Sequence, residues 1–138
     1  MTLLLLDTNA LLWLSSGSER LGPQARMAIA AAVETGDVAF SAISVWETAM
    51  LIRKGRYALD VTINRWRADL IAAGLSEAPL DGAVAGRAAE LSDLHEDPAD
   101  RMIAATAMSL GAQLVTSDAR LIDWFSADGR RSALDARV

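Results

Sequence analysis

Cysteine is absent from this 138-residue sequence, which excludes disulfides, thiol nucleophiles and every thiolate metal site. Histidine occurs once, as His95, so a histidine-rich zinc or iron centre is excluded as well. Lysine is equally scarce: Lys54 is the only one. There is no glycine-lysine phosphate loop and no G-x-G-x-x-G dinucleotide fingerprint. No apolar run approaches the roughly 18 residues of a membrane span. The first apolar run has neither the basic flank nor the small-residue cleavage site of a secretory leader, so the protein is expected in the cytoplasm.

The sequence is 52% hydrophobic, enough to build one domain of residues 1–138 around a real core and to exclude disorder. It carries 13 basic and 18 acidic residues, a formal net charge of −5. That balance argues against avid nonspecific binding of a polyanion by the whole surface. One stretch differs: Arg53, Lys54, Arg56, Arg65 and Arg67 fall close together with only Asp60 opposing them.

Apolar runs predict strands over residues 3–6, 38–40, 75–80, 114–116 and 133–136. Helices are expected after the first strand through Trp13, from Pro23 to a stop at Gly36, over 44–54 and over 61–73, with a loop at 15–18. Val84, Ala88 and Leu91 recur at helical spacing. Met102, Ile103, Thr106, Ala107 and Leu110 give a further helix an apolar face closed by Gly111, and a short helix follows Asp118 through Trp124. Strands that are apolar throughout and alternate with helices indicate an α/β fold, with a parallel sheet covered on both faces.

Four acidic residues interrupt this pattern where charge is costly. Asp7 ends the run LLLLDTNALLW. Glu47 closes Ser44-Val45-Trp46-Glu47, Asp100 closes Asp97-Pro98-Ala99-Asp100, and Asp118 closes Thr116-Ser117-Asp118. Each has a plain explanation: Asp7, Asp97 and Asp118 as helix N-caps, and Ser44 with Glu47 as a capping box. Taken together they point elsewhere, because the C-terminal ends of parallel strands share one edge, where open α/β folds bind ligands. Four ionised carboxylates there need a counter-charge. Lys54 is remote in sequence and Arg101, about 100° around its helix from Asp100, is expected to turn away. An oxygen-rich donor set then favours Mg²⁺ or Mn²⁺. With no protein nucleophile at hand, the chemistry indicated is phosphodiester hydrolysis by water that the cation activates. His95 is expected to support the site from a helix end rather than to catalyse.

The segments LLDTNALLW, S-x-x-S-x-W-E over 41–47, H-x-D-P-x-D-R over 95–101 and L-V-T-S-D over 114–118 resemble, in order and spacing, those of PIN-domain ribonucleases, in particular the VapC-type toxins of bacterial toxin–antitoxin pairs. The resemblance implies a three-layer α/β/α fold around a central parallel sheet. It also implies a Mg²⁺- or Mn²⁺-dependent endoribonuclease, a homodimer, and neutralisation by a VapB-type antitoxin. Carried over by position, Asp7, Glu47, Asp100 and Asp118 form the metal-holding catalytic quartet. Thr8, Asn9, Ser44 and Ser117 are its hydrogen-bonding partners, Asp97 is a supporting carboxylate, and Arg53, Lys54 and Arg56 are candidate RNA contacts. Arg120 stands where some relatives carry a further acidic residue. Trp46, Met50, Trp66 and Trp124 offer more apolar surface than a monomer of this size comfortably hides. Two enzyme alternatives fit worse: a haloacid-dehalogenase-like phosphatase needs an aspartate where Asn9 stands, and a receiver domain needs a lysine at the end of a late strand. A non-catalytic PIN-fold module that docks a basic peptide in the acidic cleft is the remaining alternative.

Overall fold

Residues 2–127 and 129–138 are described by a computed structural model. In chain order the elements are β1 (Leu4–Leu6), α1 (Thr8–Ser16), α2 (Pro23–Glu34), β2 (Val38–Ser41), α3 (Ala42–Arg53) and α4 (Ile63–Ala72). There follow β3 (Ser76–Ala78), α5 (Gly82–Glu90), α6 (Pro98–Leu110), β4 (Gln113–Thr116), α7 (Ala119–Phe125) and β5 (Leu134–Asp135). The strands form one sheet in the order β3-β2-β1-β4-β5, with every neighbouring pair parallel. Leu5 of β1 lies between Ala39 of β2 and Leu114 of β4.

Both faces of this sheet are buried, which is why its central strands are apolar without alternation. Leu4, Leu6, Val38, Phe40 and Val115 point to one side, against α1, α2 and α4. Leu5, Ala39 and Leu114 point to the other, against Ile103, Ala104 and Ala107 of α6 and Leu121 and Trp124 of α7. Val84 and Ala88 of α5 pack on Ala105 at the outer side of α6. The result is the three-layer α/β/α arrangement expected.

Where the observed boundaries depart from expectation, a specific interaction moves them. Ser15 and Ser16 belong to α1 rather than to a loop, and Gly17 ends the helix in the left-handed conformation at φ 68°. The Ser15 hydroxyl accepts a bond of 2.8 Å from the Trp66 indole, tying this last turn to α4. Helix α3 starts two residues early, straight out of β2, because Ser41 caps it by accepting from the Ile43 amide at 3.2 Å.

The chain's last residues close back on α2. Ala136 donates to the Thr116 carbonyl at 2.8 Å and accepts from the Gly22 amide at 2.8 Å, while the Gln24 amide donates to Val138 at 2.8 Å. A Cβ on Gly22 would stand 2.3 Å from the Val138 carbonyl carbon. Gly22→Ala should therefore push this segment off, costing about 1–3 kcal/mol in denaturant unfolding and raising amide exchange around Thr116 and Ala136. Unchanged stability and exchange would show that the segment is not held by this close approach.

Candidate active site

The site is built at the C-terminal edge of the sheet. Asp7 follows β1 directly, and its amide continues the ladder by donating to the Val115 carbonyl at 3.0 Å. One carboxylate oxygen caps α1 through the Ala10 amide at 2.9 Å, and the other accepts from the Thr116 hydroxyl at 2.5 Å. Both donors are neutral. Burial pushes Asp7 up from 3.8 to about 6; its two hydrogen bonds oppose the rise, and the nearby Asp100 and Glu47 add to it.

Glu47 lies on α3. Because that helix begins at Ala42, Ser44 is inside it rather than at its cap, and the capping box that would have been the plain explanation of Glu47 does not form. The Thr8 hydroxyl donates to Glu47 and lies 2.9 Å from the Ser44 hydroxyl. Thr8 has a single proton, so Ser44 must donate to Thr8 in turn, giving a relay that runs from Ser44 to Thr8 to Glu47. Thr48 anchors the relay by donating to the Ser44 carbonyl at 2.8 Å. Burial, followed by the charges of Asp100 and Asp97, raises the Glu47 carboxyl against the Thr8 bond.

Asp100 sits in the first turn of α6, where Asp97 caps the helix by accepting from the Asp100 amide at 3.0 Å, as its sequence position indicates. The ring Nε2 of His95 is 2.7 Å from the Asp100 carboxylate, so His95 supports the site from just outside the helix. Burial raises the Asp100 carboxyl; the His95 bond opposes the rise, and the Asp97 and Asp118 charges reinforce it. Arg101 turns away as expected. Its guanidinium donates to the carbonyls of Ala88, Leu91 and Leu94 at 2.6–3.0 Å.

Asp118 caps α7, accepting from the Arg120 amide at 2.8 Å. The Arg120 side chain forks onto the same carboxylate, with Nε at 3.2 Å and Nη2 at 3.0 Å. Burial works to raise Asp118, but the bonds and charge of Arg120 outweigh it and hold the carboxyl below its ordinary value.

Asp7, Glu47 and Asp100 line one cleft of about 240 Å³, together with Thr8, Asn9, Trp46 and Lys54. Oxygens of Asp100 and Asp118 and a ring nitrogen of His95 lie within 4.8 Å of one another at its side. Two expectations need correction. Lys54, remote in sequence, is brought to the cleft by α3, and Arg120 supplies a counter-charge that was not anticipated. The hydroxyl that holds Asp7 belongs to Thr116, the buried last residue of β4, and Ser117, just beyond the strand, bonds none of the four carboxylates among the described residues. Asn9 is exposed at the cleft wall. The basic stretch is divided. Arg56 lines the next groove with Asn9 and Tyr57, Arg53 faces α4, and Arg65 and Arg67 are paired with Asp69 and Glu77. Trp66 and Trp124 are buried, leaving Trp46 as the tryptophan that is 58% exposed.

These donors fit a hard divalent cation. They are carboxylate oxygens held in place by neutral hydroxyls, and burial keeps three of them reluctant to ionise without added positive charge. The PIN domain family matches residues 4–124. The chain is 38% identical over 123 residues to Ribonuclease VapC22 of Mycobacterium tuberculosis, covering 88% of this chain and 91% of the relative. Its fold is similar to that of a chain in the structure of VapBC2 from Rickettsia felis bound to a promoter DNA fragment, with a TM-score of 0.66 at 16% identity over 96% of this chain and 97% of that one. A toxin–antitoxin complex from Klebsiella pneumoniae gives 0.61 at 23% identity over 93% and 95%. The chain belongs to the PIN-domain family.

A raised carboxyl has a direct consequence for stability. Between about 4 and about 6 the unfolded Asp7 is ionised while the folded one keeps its proton, so the folded state weakens as pH rises through that window, by on the order of 3 kcal/mol. Glu47 and Asp100 act in the same direction and Asp118 in the opposite one. Urea midpoints of metal-free protein should fall across this range, with the fall reduced by Mg²⁺ and largely removed in Asp7→Asn. A midpoint that rises with pH would contradict this account of Asp7.

Proposed function

We propose that this chain is a divalent-metal-dependent endoribonuclease and the toxin of a toxin–antitoxin pair. The observation that carries the reading is the meeting of Asp7, Glu47 and Asp100 in one cleft at the sheet's C-terminal edge, with Asp118 beside them. The similarity to a ribonuclease over most of the chain supports RNA as the substrate. Asp7, Glu47 and Asp100 would hold the ion, Mg²⁺ or Mn²⁺, with Asp118 completing the acidic set. When bound, such an ion supplies Lewis acidity toward the phosphate and a more acidic water. The chain's own contribution is placement. Thr116 and the Ala10 amide fix both oxygens of Asp7, and the relay from Ser44 through Thr8 fixes Glu47. Asn9 and Lys54 offer a neutral and a positive donor to an RNA phosphate at the cleft wall, and Arg56 extends this basic side into the neighbouring groove.

Two partners belong to the reading. A VapB-type antitoxin would neutralise the cleft by presenting an arginine or lysine to its carboxylates from a segment that folds on binding. A second copy of the chain would cover Trp46, which with Ile43, Leu80 and Met102 lines an apolar groove of about 430 Å³ beside the cleft. Trp46→Glu should then sediment as a monomer at micromolar concentration where the unaltered chain is a dimer; a monomeric unaltered chain with full activity would remove the dimer from the proposal.

Asp7→Asn and Asp100→Asn should keep the fold and lose RNA cleavage in Mg²⁺ by more than about 100-fold, while Thr116→Val, which frees Asp7 without removing it, should lose about 10–100-fold. Cleavage by Asp7→Asn at the rate of the unaltered protein would overturn the site. Growth arrest that persists when the neighbouring small gene is co-expressed would overturn the toxin–antitoxin reading and leave the nuclease standing.

A further inference from the structure

Arg120 does more than decorate the first turn of α7. Its guanidinium binds both oxygens of Asp118, and the same Nη2 stands 4.0 Å from the Asp100 carboxylate. The Arg120 amide also bonds Asp118 at 2.8 Å, so the backbone itself places the side chain over the carboxylate it pairs with. His95 takes the Asp100 oxygen that faces this side, at 2.7 Å. The Asp100–Asp118 half of the site thus already has its donors engaged by nitrogen groups. The other half differs: among the described residues no arginine or lysine lies within ion-pair distance of Asp7 or Glu47, which bond only hydroxyls and an amide.

We propose that Arg120 takes the place of a second cation, so that the cleft binds one divalent ion per chain, on the side of Asp7, Glu47 and Asp100. The inference rests on the divalent-cation reading of the cleft and adds its count. The reason is charge more than bond strength. An exposed pair such as Arg120 with Asp118 is worth little by itself, and an ion could break it. With the guanidinium in place, though, Asp100 and Asp118 together present a net charge of about −1, half of what a dication needs, and hard dications bind weakly to sites with so few charged oxygens. Lysine at this position would supply the same charge without the planar fork. The charge is therefore the property to vary.

The test is a titration of the metal-stripped full chain with Mn²⁺, with free ion followed by electron paramagnetic resonance. The unaltered chain and Arg120→Lys should each bind one Mn²⁺, and Arg120→Gln should bind two; Asp7→Asn, run alongside, should lose the first. Two ions in the unaltered chain, or one in Arg120→Gln, would overturn the role given to Arg120 while leaving the metal cleft intact. Absence of Mn²⁺ binding by all of these proteins would overturn the metal reading itself. Arg120 is exposed and bonds no core group, so these substitutions leave the fold in place and the count is readable.

Discussion

Asp7 is a buried carboxylate held, among the described residues, by two uncharged donors and no cation. Hydrogen bonds of this kind fix where the oxygens are without neutralising them, and the remaining charge must be met by something else. The chain brings more negative charge to the same place, through Glu47 and Asp100, each also positioned by a neutral or weakly basic neighbour. Geometry and charge are therefore separated. Hydroxyls, amides and one imidazole do the positioning, and the demand for positive charge is left open toward the cleft.

Much of this was legible in the sequence because the sheet is parallel. Strand ends in such a sheet collect on one edge, so Asp7 and Asp118, just after strands, and Glu47, on the helix that follows one, could be brought together without knowing any distance. The helix stop at Gly111 was equally readable as a left-handed cap, whereas Gly17 falls in the expected loop and instead ends α1, which runs on through Ser15 and Ser16. What escaped depends on contacts across the chain. Thr116 looked like the last residue of a strand, and its partner Asp7 is 109 positions away. Lys54 is far in sequence from most of the carboxylates, and only the course of α3 from the strand end past the cleft brings it there. Arg120 was visible as a departure from a family pattern, but not as the group that closes on Asp118.

Asp100 and Arg101 show how one helical turn divides two tasks. Adjacent residues on α6 differ by about 100° in direction, so one faces the cleft while the other gathers the carbonyls that end α5 and lead into α6. Arg101 satisfies backbone groups that no regular element satisfies there, which orders the stretch carrying Leu94 and His95. The support for Asp100 from His95 thus depends on a side chain that never enters the site.

The raised carboxyls also bear on how such a chain can change over generations. Most substitutions at buried positions cost stability, so loss of activity and loss of fold usually arrive together. At Asp7 they part company. Without a bound cation the ionised side chain works against the fold, while an amide of nearly the same shape can still cap α1 and meet Thr116, so in the metal-free chain the step that silences the cleft is downhill in folding free energy. Selection against the activity would find a ready route to well-folded inactive descendants, and only continued selection for it keeps a charge at the end of the first strand.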